Sequence, residues 1–89
     1  MPRYRQVRAD GLVFLFAYDA DDPTLLHIFA RHLTTVDHAL RTWFDASAEE
    51  IWNEQRQRFE TRSESHVLYW TWLTDNERVL IISCFTRED

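Results

Sequence analysis

The chain has 89 residues, 45% of them hydrophobic and 15% aromatic, which is enough to build one compact domain over residues 1–89 and no more. Its formal net charge is −5, and this sign argues against non-specific nucleic-acid binding, which needs a basic surface. No apolar run approaches the roughly 20 residues of a membrane-spanning helix, and no basic-then-apolar leader opens the chain, so we expect a soluble cytoplasmic protein.

The first predicted elements are two strands joined by a tight turn. Residues 4–8 are predicted as an edge strand, and the apolar residues 12–18 as a second strand. Between them, Asp10-Gly11 is a strong hairpin signal, because both residue types accept the left-handed backbone of a two-residue turn. The sequence therefore predicts a β-hairpin at the start of the chain.

Two short helices are predicted next. Asp21 or Asp22 is expected to cap the first, with Pro23 at its first position and its end near His32. For the second helix, which runs through Phe44, Thr34 and Asp37 have the spacing of a capping box. Its apolar positions form a one-sided stripe that must pack against a sheet or another helix. That stripe consists of Val36, Ala39, Leu40, Trp43 and Phe44.

The pattern of residues 46–62 fits both the period of a helix and that of a strand. Ile51, Trp52 and Phe59 would share a helical face, with Ser47 and Glu50 as its cap, whereas residues 56–63 also alternate as a strand does. We favour a short helix or loop followed by a strand from about residue 56. That strand would project three basic side chains from one face. They are Arg56, Arg58 and Arg62.

The last predicted elements are the strands 66–73 and 78–85, joined by Thr74-Asp75-Asn76-Glu77. The order strand, two helices, three-stranded meander predicts a two-layer α+β fold, with both helices packed on one face of a mostly antiparallel sheet. The final strand, V-L-I-I-S-C-F, is apolar on both faces, and both faces therefore need cover. Two short helices cover only one of them, which leaves an aromatic surface for a partner.

Trp70 and Trp72 share one face of their strand, and Tyr69 lies on the other. Whichever face the helices leave open exposes either a Trp pair or a Tyr-centred patch, and such residues are favoured interface anchors. The predicted interface residues are thus Tyr69, Trp70, Trp72 and Arg62. They predict a protein-interaction module that forms a homodimer or binds a regulator. Aromatic and Arg side chains could also stack RNA bases, but the negative net charge disfavours RNA.

Segment 26–39, which reads L-H-I-F-A-R-H-L-T-T-V-D-H-A and is followed by Phe44-Asp45, resembles the H-I-x-x-R-H-G-V-x-x-x-x-A segment of BrnT-type toxins in the RelE/ParE-like superfamily. Leu33 stands where that segment has Gly. The resemblance implies a small bacterial toxin-like fold whose members cleave RNA or bind an antitoxin. Residues 52–61, 69–73 and 82–85 are similar to actinobacterial proteins, a likeness that implies no function.

The alternative prediction is a metal-independent ribonuclease. His27 and Arg31 are i, i+4 neighbours that would supply a general base and a cation for the transition state. Arg56, Arg58 and His66 would bind the phosphate, so all five side chains must converge on one concave surface. The structural alternative is that Arg31 interacts with the helix dipole and that His66 simply occupies a strand edge.

No other chemistry is indicated. The histidines and Cys84 lack metal-ligand spacing, no Gly-rich loop is present to hold a nucleotide, and no serine has a nucleophile-elbow context, so we expect neither a metal nor a cofactor. The lone Cys84 lies within an apolar strand and is predicted to be a buried, unreactive thiol.

Overall fold

The computed structural model describes residues 3–73 and 76–88. It contains two helices and one six-stranded sheet whose strand order is β1-β2-β6-β5-β4-β3. In chain order the elements are β1 (Tyr4–Ala9), β2 (Leu12–Ala17), α1 (His27–His32), α2 (Val36–Trp43), β3 (Glu49–Asn53), β4 (Arg58–Arg62), β5 (His66–Trp72) and β6 (Arg78–Thr86). The coarse prediction of an α+β fold with a mostly antiparallel sheet and two helices is confirmed, but the sheet is larger than predicted.

The β1–β2 hairpin forms as its turn residues predict. Asp10 and Gly11 have φ angles of 51° and 79°, the left-handed pair that matches the twist of the flanking strands. The six residue pairs from Tyr4↔Ala17 to Ala9↔Leu12 run antiparallel. β1 is an edge strand, as predicted.

The last strand completes the sheet by pairing with a strand from the start of the chain. Strands β3 to β6 form an antiparallel meander, and β6 then pairs with β2 in parallel, from Val13↔Arg78 to Phe16↔Ile81. This parallel pair is possible because the two helices and the meander lie between the two strands in sequence. The predicted turn residues Thr74 and Asp75 lie outside the described residues.

The prediction for the start of α1 is wrong. The helix begins at His27, and its N-cap Leu26 has an extended backbone and no side-chain cap. Asp22 instead accepts hydrogen bonds from the backbone N–H and hydroxyl of Thr24, at 3.2 and 2.6 Å, in a local turn. The antiparallel bridge between Tyr18 and Leu26 also keeps Leu26, the residue before the helix, in an extended conformation. The predicted end at His32 is confirmed.

The prediction for the cap of α2 is wrong by one residue. Thr35 is the N-cap: its hydroxyl accepts from the His38 N–H at 3.2 Å, and His38 Nδ1 accepts from the Thr35 N–H at 3.0 Å. Thr34 is buried instead, and its hydroxyl donates to the carbonyl oxygen of Cys84 at 2.6 Å. Thr34 thus connects the loop between the helices to β6.

Within the predicted helix or loop at residues 46–55, residues 49–53 instead form β3, which pairs with β4 from Glu49↔Arg62 to Asn53↔Arg58. The strand predicted from about Arg56 begins at Arg58. The connecting turn ends at Gln57, which has a φ of 53°. The apolar residues Ile51 and Trp52 therefore alternate across a strand rather than lie on a helical face.

Both helices pack on the same sheet face, where α1 contacts β2 and β6 and α2 contacts β4 and β5. The predicted stripe of α2 supplies Trp43, whose ring meets Phe14, Trp70 and Trp72 edge-on at centroid distances of 5.2, 4.4 and 5.9 Å. The buried cluster on this face consists of Phe14, Phe16, Ile28, Ala39, Leu68, Trp70, Val79, Ile81 and Cys84.

A bulge interrupts the side-chain alternation of β6. Trp70 pairs with Ile81 and Tyr69 pairs with Ser83, so Ile82 is an extra residue without a direct partner. This shift brings Cys84 back to the helix-covered face. Cys84 is free and buried as predicted, and burial raises the pKa of its thiol to about 11, so it stays protonated at neutral pH.

Candidate functional site

Neither helix covers the second face of the sheet, which we call the open face. Side-chain alternation and the register of the five strand pairs assign its residues. Strand by strand from β1 to β3, they are Tyr4, Gln6, Arg8, Val13, Leu15, Ala17, Arg78, Leu80, Ser83, Phe85, Val67, Tyr69, Thr71, Arg58, Glu60, Arg62, Glu49, Ile51 and Asn53.

The centre of the open face is apolar. Leu15 and Val67 are only 6% and 7% exposed although they lie on the face that the helices leave open. Leu80, Tyr69 and Phe85 are half-buried. The sheet therefore presents a closely packed apolar centre rather than the polar surface of a typical solvated sheet face.

On the β4 side of the open face, the polar side chains are hydrogen-bonded to Glu60. It is 6% exposed, and its carboxylate accepts from Asn53 at 3.0 Å, from Arg58 at 3.4 Å and from Arg62 at 3.3 Å. Burial alone would raise the pKa of Glu60, but the hydrogen bonds from Asn53, Arg62 and Arg58 outweigh it and lower that pKa. Glu60 is therefore ionised at neutral pH and holds both guanidinium groups in place.

Arg58 also contacts the aromatic part of the open face. Its guanidinium carbon lies 3.7 Å from the centroid of the Tyr69 ring, a cation–π contact. The Tyr69 ring in turn meets Phe85 edge-on at 5.1 Å. One face of Tyr69 is thus covered within the protein, and Phe85 packs against the same ring.

A cavity of about 770 Å³ lies at one corner of the open face, and we call it the corner cavity. Its lining combines the apolar and aromatic side chains of β5 and β6 with basic side chains from α1, from β4 and from the segment after β6. The lining residues are His32, Arg62, Val67, Tyr69, Phe85, Thr86, Arg87 and Glu88.

Two of the four predicted interface residues, Trp70 and Trp72, lie on the helix-covered face. Trp70 is 2% exposed, and its indole N–H donates to the buried Thr61 hydroxyl at 2.8 Å. Trp72 packs against Trp43 on the helix-covered face. The α2 stripe needs a broad apolar layer beneath it, and the indole rings supply that layer. Tyr69 and Arg62, by contrast, do lie on the open face, which exposes the Tyr-centred patch.

His27 and Arg31 share one partner, the nearly buried Asp19. Its Oδ1 lies 3.3 Å from His27 Nδ1 and 3.2 Å from Arg31 Nε, while Oδ2 accepts from the backbone N–H groups of Asp21 and Asp22. Burial would raise the pKa of Asp19, but these backbone hydrogen bonds and the Arg31 charge together lower it. This cluster ties the loop after β2 to α1.

The structure does not bring the five predicted ribonuclease residues together. His27 and Arg31 lie on α1, Arg58 lies on the open face, and Arg56 lies in the turn between β3 and β4. His66 lies on the helix side, stacked on His38 with a centroid distance of 4.8 Å. The predicted stripe of three Arg is likewise reduced to Arg58 and Arg62, with Glu60 between them.

Sequence reasoning missed Glu60, Phe85 and Asp19. The segment R-F-E-T-R carried a usable signal, because Arg58, Glu60 and Arg62 alternate along one face of a strand, where opposite charges two residues apart attract. No local signal identified Asp19, since its partners in α1 are brought to it by the turn that precedes the helix.

Among residues 3–73 and 76–88, no three His, Cys, Asp or Glu side chains are grouped so that they could hold a metal ion. Within the same ranges, neither helix is long and apolar enough to cross a membrane. Comparison with known proteins found no matching family model, no matching curated protein and no matching solved structure.

Proposed function

We propose that this protein is a non-catalytic interaction module that binds an acidic protein partner through the open face. The observation that supports this proposal is the apolar centre of that face, which neither helix covers. Burial of apolar surface is the main driving force of protein association, and a half-buried Tyr beside Arg is a frequent interface anchor.

The charge of the open face supports a partner other than a second copy. The face has four Arg, at positions 8, 58, 62 and 78, against Glu49 and Glu60, which makes a net charge of +2. The whole chain has −5, so the rest of the chain carries −7. Two open faces brought together would repel each other, whereas an acidic surface would be attracted.

The size of the open face supports a transient complex. Six strands about 4.8 Å apart and some six residues long cover roughly 25 Å by 20 Å, or about 500 Å² on each partner. An interface of about 1,000 Å² in total is typical of transient rather than obligate complexes. The resemblance to BrnT-type toxins, which stays a prediction, is compatible with this proposal because such proteins bind an antitoxin partner.

Site-specific photo-crosslinking in the cells that produce the protein tests the proposal. A photoreactive amino acid at Thr71, on the open face, is expected to give an adduct with one acidic protein. The same amino acid at Arg41, an exposed position on α2, is the matched control and is expected to give no such adduct. The identified partner, once purified, should bind the wild-type chain and the Arg41→Glu variant equally, and Leu80→Glu more weakly by about tenfold or more.

Three outcomes contradict the proposal. Equal adducts from both positions would mean that the open face is not the binding surface, and no adduct from Thr71 would mean that it is not used. An adduct with a second copy would replace the acidic partner by a homodimer.

A further inference from the structure

We infer that the corner cavity receives an acidic residue flanked by an apolar or aromatic residue, presented by an extended segment of the partner protein. This inference rests on the proposed function and specifies which part of the open face recognises the partner. The volume of the cavity, about 770 Å³, lies within the range of about 300–1,000 Å³ that is typical of ligand-binding pockets.

The concave shape of this corner follows from the sheet topology. β2 pairs with β6 only from Arg78 to Ile81, so the second half of β6 extends beyond β2. The end of α1 lies along that half, and the His32 ring contacts Phe85 at a centroid distance of 5.5 Å. The corner cavity is therefore bounded by a helix end on one side and by β4 on the other.

The lining combines an apolar floor with a cationic rim. Val67, Tyr69 and Phe85 form the floor. The Arg62 side chain is 43% exposed and uses one of its terminal nitrogens on Glu60, so the guanidinium group has further N–H donors for a ligand. Arg87 stands on the rim with its Nη1 donating to the Ser63 carbonyl oxygen at 3.1 Å.

This combination selects a carboxylate attached to an apolar group. Among the described residues of the lining, Arg62 and Arg87 are cationic and Glu88 is acidic, so the rim attracts a negative charge. A guanidinium group binds a carboxylate through two parallel hydrogen bonds, and the apolar floor buries the neighbouring side chain. An acidic peptide segment supplies both groups.

The geometry favours such a peptide over single-stranded nucleic acid. Base stacking needs an unoccupied aromatic face, and the Arg58 guanidinium already covers one face of Tyr69 at 3.7 Å. A polynucleotide would also bring a phosphate with every nucleotide to a chain whose net charge is −5, whereas a peptide needs to bring only the one carboxylate that the cavity binds.

Fluorescence anisotropy with two labelled peptides tests the inference. The probe has alternating Glu and Phe residues, and the matched control peptide has Gln in place of Glu. The wild-type protein is expected to bind the Glu probe about tenfold more tightly than the Gln peptide. Arg62→Gln should remove most of that difference, while Arg41→Gln, on α2, should keep it. Phe85→Leu, which keeps an apolar floor, should weaken both peptides.

Equal binding of the Glu and Gln peptides overturns the inference, and so does an equal effect of Arg62→Gln and Arg41→Gln. Tighter binding of an oligothymidine of similar length would replace the peptide by nucleic acid. Thermal unfolding of each variant checks that it folds.

Failure of this inference can be distinguished from failure of the proposed function. If the crosslinked partner binds Leu80→Glu more weakly but binds Arg62→Gln as well as wild type, it binds the open face outside the corner cavity.

Discussion

Thr34 shows how one buried hydroxyl can determine where a helix starts. Its Oγ1 donates to the Cys84 carbonyl oxygen at 2.6 Å and also lies 3.1 Å from the Ile28 carbonyl oxygen, and the residue is 1% exposed. A hydroxyl held in this way cannot cap α2, so the cap moves to Thr35. The hydrogen bond also fastens α1 to the half of β6 that has no strand neighbour on that side.

We expect Thr34→Val to lower the free energy of unfolding by about 1–3 kcal/mol, because it leaves the buried Cys84 carbonyl without its partner while keeping the side-chain shape. Urea unfolding of the variant and of the wild-type chain measures this difference in the free energy of unfolding. Thr24→Val, at an exposed position, is the matched control and should change stability by less than about 0.5 kcal/mol. Equal effects of the two substitutions would mean that the buried hydrogen bond contributes nothing.

The carboxylate of Asp19 is expected to make the fold acid-sensitive. Its pKa in the folded chain lies below the ordinary value of 3.8, so the ionised group stabilises the fold above that pH. The contribution is lost as the pH falls below 3.8 through the folded pKa. Asp19→Asn should therefore be less stable than wild type at pH 7, and the difference should shrink between pH 4 and pH 2.

Urea unfolding at several pH values measures that difference. Asp37→Asn, which removes an exposed carboxylate that pairs with Arg41, is the control and should give a small difference at every pH. A difference for Asp19→Asn that stays constant down to pH 2 would contradict the role assigned to its charge.

At the scale of elements, α2 holds the helix layer to the sheet mainly through one indole ring. Trp43 lies between Phe14, Trp70 and Trp72, with edge-on contacts to each. The stripe that predicted this packing is a local property of the helix sequence. Its partners come from three different strands, which only the assembled sheet brings together.

Trp43→Ala should lower the free energy of unfolding by about 3–5 kcal/mol, because it removes a large ring from the interface between the layers. Trp52→Ala is the matched control: Trp52 is 43% exposed on the edge strand β3, and its loss should cost about 1 kcal/mol. Both values come from urea or thermal unfolding. Equal costs would show that the helix layer does not depend on Trp43.

The stacked His38 and His66 rings join α2 to β5 and make this contact pH-dependent. Burial lowers the pKa of His66, and the positive charge of a protonated His38 lowers it further. The unfolded chain takes up a proton near the ordinary pKa of 6.5, so stability is fully present above pH 6.5 and is lost as the pH falls through the folded pKa. Arg41 and Asp45 line the cavity beside the pair.

We therefore expect the free energy of unfolding of the wild-type chain to fall between pH 7 and pH 5, and His66→Gln to flatten that fall. Thermal unfolding at half-unit pH steps gives the slope. His38→Gln is expected to lower stability at every pH, since His38 also belongs to the cap of α2, and to reduce the slope as well. An unchanged slope in His66→Gln would contradict the prediction.

At the scale of the whole molecule, charge is distributed unevenly between the open face and the rest of the chain. The open face has a net charge of +2 and the rest has −7. Light scattering across dilution should therefore show a monomer at low salt, where repulsion between two open faces is least screened. A stable dimer that Leu80→Glu converts to a monomer would instead support the homodimer expected from the sequence.

Local signals predicted the elements that depend on neighbours in sequence. Asp10-Gly11 predicted the first hairpin, the stripe of α2 predicted its packed side, and the setting of Cys84 predicted a buried thiol. Each of these features rests on turn chemistry or on the period of one element. The same reasoning failed at residues 46–55, where helix and strand periods both fit and pairing with β4 decided for the strand.

The sequence by itself determined the α+β class and indicated more apolar strand surface than two short helices can cover. It also placed Tyr69 and the pair Trp70 and Trp72 on opposite faces, because side chains alternate along a strand. Only the tertiary structure decided which face stays open. The Trp43 ring packs against the indole rings of Trp70 and Trp72, so the helices cover the Trp face. The parallel pairing of β6 with β2 completes the sheet, and Tyr69 and Phe85 lie on its other face, where we propose binding. These choices depend on packing between residues far apart in sequence, which no local pattern specifies.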